Sequence, residues 1–256
     1  MSRSLWLVAL LVVVASVPDA TSPARAAETA ATTIAAGDAA LAKFDLTTAV
    51  AAYRDAHRLA PDNSEAAWKL ARALCDQATL TKDRVEQKRL CAGAESPARE
   101  AVRLSPNDSK GHTYLAIAVG KLALYDGGKR KVELSNEVKS EAEKSIALNS
   151  KEDLAYHVLG IWNREMAQLN WMLRTFAELL YGKLPSASLA DAISDLRRAA
   201  ELAPDVVPHH VELGITLKAA RQYPEAKEQF DKALSLPKSW VTDDYYKELA
   251  KANYRK

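Results

Sequence analysis

The chain has 256 residues and a formal net charge of +2, with acidic and basic residues scattered along its length. Such a balance argues against nucleic-acid binding, which typically needs a concentrated basic face. Nine glycines and three phenylalanines, beside abundant alanine, leucine, glutamate and lysine, favour helices over sheet.

The sequence contains no motif that indicates catalysis. It has no glycine-rich phosphate loop, nucleophile elbow or paired-carboxylate pattern. The histidines show no metal-ligand spacing with a carboxylate or a cysteine; they are His57, His112, His157, His209 and His210. We therefore predict a protein that is not an enzyme and that uses no metal or cofactor.

The N-terminus carries the features of a secretory signal peptide. A positive charge at Arg3 precedes an apolar run over Leu5–Val17, and Ala24–Ala26 supplies the small-x-small pattern that signal peptidase recognises. A membrane-spanning helix needs roughly 20 apolar residues, so this run is short for an anchor. We predict a signal peptide over residues 1–26 and export to the periplasm or the medium, with at most peripheral membrane association. An uncleaved anchor is the alternative.

Five segments of the chain share one amphipathic helical pattern that closes at a turn. Proline cannot donate the backbone N–H that a helix uses, so it ends the helix and begins the turn. The turns fall at Pro61, Pro106, Ser150, Pro204 and Pro237. After the first four turns comes a leucine followed by a small residue, which allows a paired helix to approach closely: Leu70-Ala71, Leu115-Ala116, Leu159-Gly160 and Leu213-Gly214.

These segments resemble the tetratricopeptide repeat, a helix–turn–helix unit of about 34 residues. The best match has the signature residues Gly214, Tyr223, Ala226, Phe230 and Ala233. We predict an all-α fold, a tetratricopeptide-like α-solenoid of paired antiparallel helices forming a single domain over residues 27–256. Its repeats span about 30–63, 64–108, 109–152, 153–206 and 207–239, followed by a C-terminal helix.

The turns are unevenly spaced, and the fourth repeat is predicted to contain an inserted helix. Asn170 is a favourable N-cap and Gly182 a favourable helix end, so residues 153–169 and 171–181 form two helices. The first has a core-facing stripe of Ala155, Val158, Leu159, Trp162, Met166 and Leu169. The second has a stripe of Leu173, Phe176 and Leu180, widened by Met172 and Leu179. So wide an apolar arc is either buried on two sides or in contact with a ligand on one.

A narrower resemblance covers nearly all of the chain from about Ala30 onward. Its most specific parts are Leu159-Gly160-x-Trp162, Trp171, the PSAS turn and the helix that contains Leu213-Gly214. On these residues the sequence resembles the regulator of microtubule dynamics family. The resemblance implies a tetratricopeptide-like domain without enzymatic activity, a link to microtubules in eukaryotic members and phospholipid binding in one branch.

The first helix of each repeat is predicted to line a concave surface. Counting from the turns places these residues there: Trp68, Arg72, Thr113, Ile117, Lys121, His157, Ile161, Arg164, Val211, Ile215 and Lys218. An apolar stripe flanked by cations suits an extended peptide with acidic residues, or an anionic amphiphile. The alternative is that inserted helices cover this surface and its apolar positions are ordinary core.

The main functional hypothesis is an exported, non-enzymatic scaffold that binds a protein or peptide partner through the concave surface. The first alternative is binding or transfer of phospholipid, or another anionic amphiphile, in the same groove. Regulation of microtubule dynamics is a third, supported by the family resemblance alone. An open tunnel along the concave surface would favour lipid, whereas a filled one would favour a protein partner.

Cys75 and Cys91 form a candidate disulfide, because an exported protein can keep one. A turn near Thr79–Thr81 would place Cys91 roughly 9 Å along its helix from the residue opposite Cys75. That is beyond a comfortable bridging distance. Two small buried residues are the alternative.

Overall fold

The computed structural model describes residues 23–254, which form twelve α-helices and no strand. The helices are α1 (Pro23–Leu41), α2 (Leu46–Leu59), α3 (Ser64–Leu80), α4 (Arg84–Leu104), α5 (Ser109–Ala123), α6 (Gly128–Leu148), α7 (Asp153–Ala167), α8 (Trp171–Tyr181), α9 (Leu189–Leu202), α10 (Val207–Ala219), α11 (Tyr223–Ser235) and α12 (Asp243–Tyr254). The apolar run of the predicted signal peptide lies outside the described residues. The predicted cleavage site falls in the first turn of α1.

The helices pair in the order that the repeat pattern predicts. The pairs are α1 with α2, α3 with α4, α5 with α6, α7 with α9, and α10 with α11, and each pair packs on the next. Helix α8 interrupts the fourth pair and packs against α6. The predicted all-α, tetratricopeptide-like solenoid with an inserted helix in its fourth repeat is therefore confirmed.

Short polar side chains begin the helices, and the predicted turns end them. The side chains of Asp45, Asn63, Asp83, Asp108 and Ser188 accept backbone N–H groups in the first turns of α2, α3, α4, α5 and α9. Helices α2, α4, α9 and α11 each end two residues before a turn proline. These capping and proline signals are local, which explains why the sequence was sufficient to locate the helix ends.

The buried apolar residues form two clusters. The first core joins α1 to α7 and contains Trp162 and Met166 of α7. The second core joins α9 to α12 around Leu196, Leu217 and Phe230. Val241, which follows the last repeat, lies in the first core, so the C-terminal part of the chain reaches back to the first half of the solenoid.

The apolar stripe predicted for α7 faces the core, whereas the C-terminal end of the apolar stripe predicted for α8 is exposed to solvent. Trp162 is 5% exposed, and Leu159 and Leu169 pack against the first core. On α8, Leu179 and Leu180 are 78% and 63% exposed, so the end of that stripe is not buried. The side chains of Trp171, Met172, Leu173 and Phe176 lie outside what the structure describes.

Gly160 shows why the small residue after leucine is needed. A Cβ atom there would lie 2.6 Å from Cγ of Leu196 and 3.1 Å from the carbonyl oxygen of Ala192, both on the paired helix α9. We expect Gly160→Ala to lower the free energy of unfolding by about 1–3 kcal/mol, as overpacking does. Chemical denaturation measures it.

Gly93 on α4 provides the matched control for this substitution. A Cβ there would come no closer than 3.9 Å to Leu74. Gly93→Ala should therefore show only the gain in helix propensity, up to about 1 kcal/mol. Equal effects of the two substitutions would contradict a steric role for Gly160.

Candidate partner-binding surface

Helices α3, α5, α7 and α10 lie side by side and form the concave surface of the solenoid. On α3, the Trp68 ring stacks on Tyr114 of α5, with centroids 5.2 Å apart and planes within 5°. Both Trp68 and Arg72 are half-buried. The Arg72 guanidinium lies 3.8 Å from the ring centroid of Trp240, a cation–π contact with a residue beyond the last repeat.

The three predicted residues of α5 have different surroundings. Lys121 donates to Oγ1 of Thr79 on α3 at 2.7 Å, and Ile117 packs against the first core. Thr113 is fully buried and shares a 2.7 Å hydrogen bond with the hydroxyl of Ser145 on α6. The prediction placed Thr113 in the groove, but its hydroxyl faces the paired helix and is not available to a ligand.

The predicted residues of α7 and α10 mostly contact one another. Arg164 is 8% exposed and donates to Glu212 Oε2 at 2.7 Å and to Thr216 Oγ1 at 3.1 Å. Ile161 and Ile215 pack against the second core, and Val211 is fully buried in it. This half of the predicted groove therefore holds two repeats together instead of presenting an open apolar surface.

His157 belongs to a buried polar chain between α7 and α10. The Nε2 atom of His209 lies 2.8 Å from Asp153 Oδ2, and its Nδ1 lies 3.0 Å from Nδ1 of His157. The carboxylate and the two imidazole rings therefore form one continuous chain of polar contacts. Burial and the neighbouring His209 hold the pKa of His157 well below its ordinary value, with smaller effects from Arg164 and Lys121.

We expect the histidine chain to make the fold sensitive to acid. Unfolded His157 gains a proton near pH 6.5 and folded His157 does not. The free energy of unfolding should therefore fall below that pH, by at most about 1.4 kcal/mol per pH unit. Burial raises the pKa of Asp76 and of Asp195 to about 6, and uptake of these protons favours the folded state as pH falls through that value.

A comparison of His157→Gln with the unmodified chain separates these opposing contributions. Both carboxylates are common to the two proteins, so the difference between their pH profiles reports His157. Denaturation at several pH values between about 6.5 and 5 should show a smaller loss of stability in the variant. Parallel profiles would contradict the assignment.

Residues 237–254, here termed the C-terminal segment, contact the concave surface at α3 and at α10. The Trp240 indole N–H donates to Oδ2 of Asp76 on α3 at 3.1 Å. At the other end, Lys218 of α10 donates to the carbonyl oxygen of Asn253 at 2.6 Å. Between them, Tyr246 packs against the second core. The inserted helix α8, the sequence-based candidate for this position, packs against α6 instead.

The part of the concave surface near the C-terminal segment carries both acidic and basic side chains. Burial raises the pKa of Asp76 to about 6, although the cations Arg72 and Lys121 and the hydrogen bond from Trp240 act in the opposite direction. Burial, and then the charge of Glu212, raise the pKa of Tyr246 above its ordinary range. The predicted cations of the concave surface are thus accompanied by carboxylates, Asp76 near Arg72 on α3 and Glu212 of α10 paired with Arg164 of α7.

Cys75 and Cys91 are both buried and are free thiols. The candidate disulfide is therefore not formed, and the alternative of two small buried residues describes the structure. Burial raises the pKa of the Cys75 thiol to about 12, which keeps it protonated and unreactive at neutral pH.

Two further histidines hold the turns between repeats. The Nε2 atoms of His112 and His210 lie 2.9 and 2.8 Å from the carbonyl oxygens of Pro106 and Pro204. Across residues 23–254, no group of three histidine, cysteine or acidic side chains is placed to hold a metal ion. None of the helices in that range combines the length and apolarity needed to cross a bilayer.

Sequence reasoning missed three residues that define this surface: Asp76, Glu212 and Trp240. Asp76 lies one helical turn beyond the predicted Arg72 and Glu212 directly follows the predicted Val211, but neither was among the positions that the repeat numbering assigned to the groove. The only signal for Trp240 was a large aromatic residue just beyond the last repeat. Its contact partner is 164 positions away, so no local pattern could have revealed it.

The paired helices and their concave surface define a tetratricopeptide-like solenoid. A thermophilic TPR protein from Thermus thermophilus shares this fold, with a TM-score of 0.61 and 15% identity over 90% of this chain and 100% of that chain. Residues 33–256 match the family described as regulator of microtubule dynamics protein 1-3. The chain belongs to this family.

The curated relatives are longer proteins. Regulator of microtubule dynamics protein 1 of Mus musculus is 32% identical over 145 residues, which are 56% of this chain and 48% of that protein. Regulator of microtubule dynamics protein 3 of Xenopus laevis is 29% identical over 143 residues, which are 56% of this chain and 31% of that protein. The matched region therefore spans about half or less of each relative.

Proposed function

We propose that the protein is a non-enzymatic scaffold that binds a protein or peptide partner through its concave surface. One observation carries the proposal: this surface already holds a polypeptide, the C-terminal segment, through a cation–π contact at Arg72 and hydrogen bonds at Asp76 and Lys218. Helical repeats commonly use such a surface for partner recognition. A filled surface also favours a protein partner over a lipid.

Photo-cross-linking tests this proposal. A photoreactive amino acid replaces Lys121 on the concave surface of the full chain. The matched control carries it at the exposed Arg198 of α9, on the second helix of a pair. We expect a cross-link between position 121 and an external protein or peptide partner, and none from position 198. Absence of cross-links at both positions, or equal cross-linking at both, would contradict the proposal.

Microtubule binding is a second candidate function, favoured by the family to which the chain belongs. Its relatives are named as regulators of microtubule dynamics. Cosedimentation of the purified full chain with polymerised tubulin tests this candidate. A chain that stays in the supernatant at all tubulin concentrations would leave the scaffold proposal without this partner.

The amphiphile alternative needs apolar positions that a lipid chain can reach. Val211 is fully buried, and Ile117, Ile161 and Ile215 pack against the two cores. We therefore do not propose a lipid carrier. Native mass spectrometry of gently purified protein is the check, and co-purified phospholipid would revive the alternative.

The proposed compartment follows from the N-terminal sequence. We propose that the scaffold is exported, because Arg3, the apolar run Leu5–Val17 and the small-x-small site at Ala24–Ala26 form a signal peptide pattern. N-terminal sequencing of the mature protein should begin at Ala27. An intact N-terminus on membrane-bound protein would favour the uncleaved anchor instead.

A further inference from the structure

The C-terminal segment makes the contacts of a bound ligand with the first half of the solenoid. Its Trp240 lies on α3, the first helix of the second repeat, although it follows the fifth repeat in the chain. Val241 extends this contact into the first core. The rest of the segment, from Tyr246 onward, packs against α10 and α11 as a helix that covers the end of the solenoid.

The site on α3 has two complementary elements. The Arg72 guanidinium lies over the face of the Trp240 indole, and the Asp76 carboxylate accepts its N–H. Arg72 and Asp76 are one helical turn apart, so both reach the same ring. Tryptophan is the aromatic side chain with the largest face for a cation and a ring N–H to donate. The site is therefore complementary to both the face and the N–H of a tryptophan.

The backbone next to Trp240 is pre-organised by Asp243. Oδ2 of this residue accepts the backbone N–H groups of Ser239 and Trp240, each at 2.8 Å. This arrangement fixes an aromatic residue three positions before an aspartate that begins a helix. It gives the docked segment a sequence pattern in which the aspartate holds the backbone of the tryptophan: tryptophan, two other residues, then aspartate.

Two observations indicate that this contact can open. Oδ1 of Asp243 is buried, and in the part of the chain that the structure describes it has no hydrogen-bond partner, so docking leaves one desolvated oxygen uncompensated. Trp240 is only half-buried and the preceding Ser239 is exposed, whereas residues 241–243 are buried. The edge of the segment is therefore accessible to a competing peptide.

We propose that the Arg72–Asp76 site binds a tryptophan of a partner helix with the pattern Trp-x-x-Asp, and that Trp240 occupies the site until the partner displaces it. The inference rests on the proposed function and names the class of partner. The segment is then an intramolecular competitor, and the affinity for a partner is reduced by the fraction of molecules in which Trp240 is docked.

A fluorescently labelled peptide with the sequence of residues 237–254 is the probe, and its anisotropy is measured with full-length protein. We expect the full-length Trp240→Ala variant to bind this peptide about tenfold more tightly than the unmodified chain does, because its own site is vacant. A peptide with alanine in place of the tryptophan should lose this binding. So should the variant that combines Trp240→Ala with Arg72→Ala.

Equal affinities of the unmodified chain and Trp240→Ala would overturn the inference, as would binding that is insensitive to Arg72. Hydrogen exchange on the unmodified chain gives a test that does not depend on a folded variant. Amides of residues 239–246 should exchange about tenfold faster than those of α10. Protection equal to that of α10 would also overturn it, because the segment would then be permanent core.

The outcomes distinguish this inference from the proposed function. The peptide assay uses only the sequence of this chain, whereas the cross-linking experiment needs an external partner. Peptide binding without any cross-link at position 121 would remove the scaffold proposal alone. A cross-link at position 121 without peptide binding would remove the tryptophan site alone.

Discussion

Replacing Trp162 with alanine should lower the free energy of unfolding by about 3–5 kcal/mol, the usual cost of truncating a large buried aromatic residue. The side chain is 5% exposed and lies in the first core. Its indole N–H donates to the carbonyl oxygen of Ser135 at 2.8 Å, so truncation also leaves a partner on α6 without its donor. Chemical denaturation of the two proteins measures the difference.

Leu179→Ala is the control for this prediction. Leu179 lies in the same apolar stretch of sequence but is 78% exposed on α8. Its truncation should change the free energy of unfolding by less than about 0.5 kcal/mol. Comparable losses for Trp162→Ala and Leu179→Ala would show that the two helices are equally buried and would contradict the structure.

Replacing Arg164 with methionine should destabilise the protein by about 3–5 kcal/mol, because it leaves a buried carboxylate without its cation. Arg164 and Glu212 are 8% and 7% exposed, and they join α7 to α10 through a 2.7 Å hydrogen bond. The same guanidinium also donates to Thr216. The ion pair is therefore a contact between two repeats, and its loss should reduce the cooperativity of unfolding between them.

The double variant Arg164→Met with Glu212→Gln separates charge from packing. Removal of the unpaired charge should recover a large part of the lost stability. Arg198→Met, which removes an exposed pair with Glu201 on α9, should cost less than about 1 kcal/mol. A loss below that value for Arg164→Met would show that the buried pair does not hold the repeats together.

The helices and turns could be predicted because their signals are local. The division of residues 153–181 into α7 and α8 followed from Asn170 and Gly182, and the structure places the helix ends within two residues of the prediction. Ser188 begins α9 as a capping residue, accepting the backbone N–H of Asp191. Caps, prolines and small residues act within one turn of chain, so they can be read without knowledge of the tertiary structure.

The candidate site could be predicted only as a set of positions. The repeat numbering placed Arg72, Lys121, Arg164 and Lys218 on the first helices of their repeats, and the structure shows what each contacts. Arg72 and Lys218 contact the C-terminal segment, whereas Arg164 is buried against α10. Lys121 pairs with the neighbouring helix. These partners are distant in the chain, so composition and spacing did not identify them.

The sequence by itself determined a helical repeat protein, its turns and its family, because each repeat carries the same short-range pattern of small residues, caps and prolines. Only the tertiary structure decided that the chain's own C-terminal segment lies against the concave surface at α3 and α10. The contact between Trp240 and α3 depends on the curvature that five stacked repeats accumulate, which brings residues 164 positions apart into hydrogen-bonding distance. Curvature arises from the sum of all the repeat interfaces, and no single segment of the sequence encodes it.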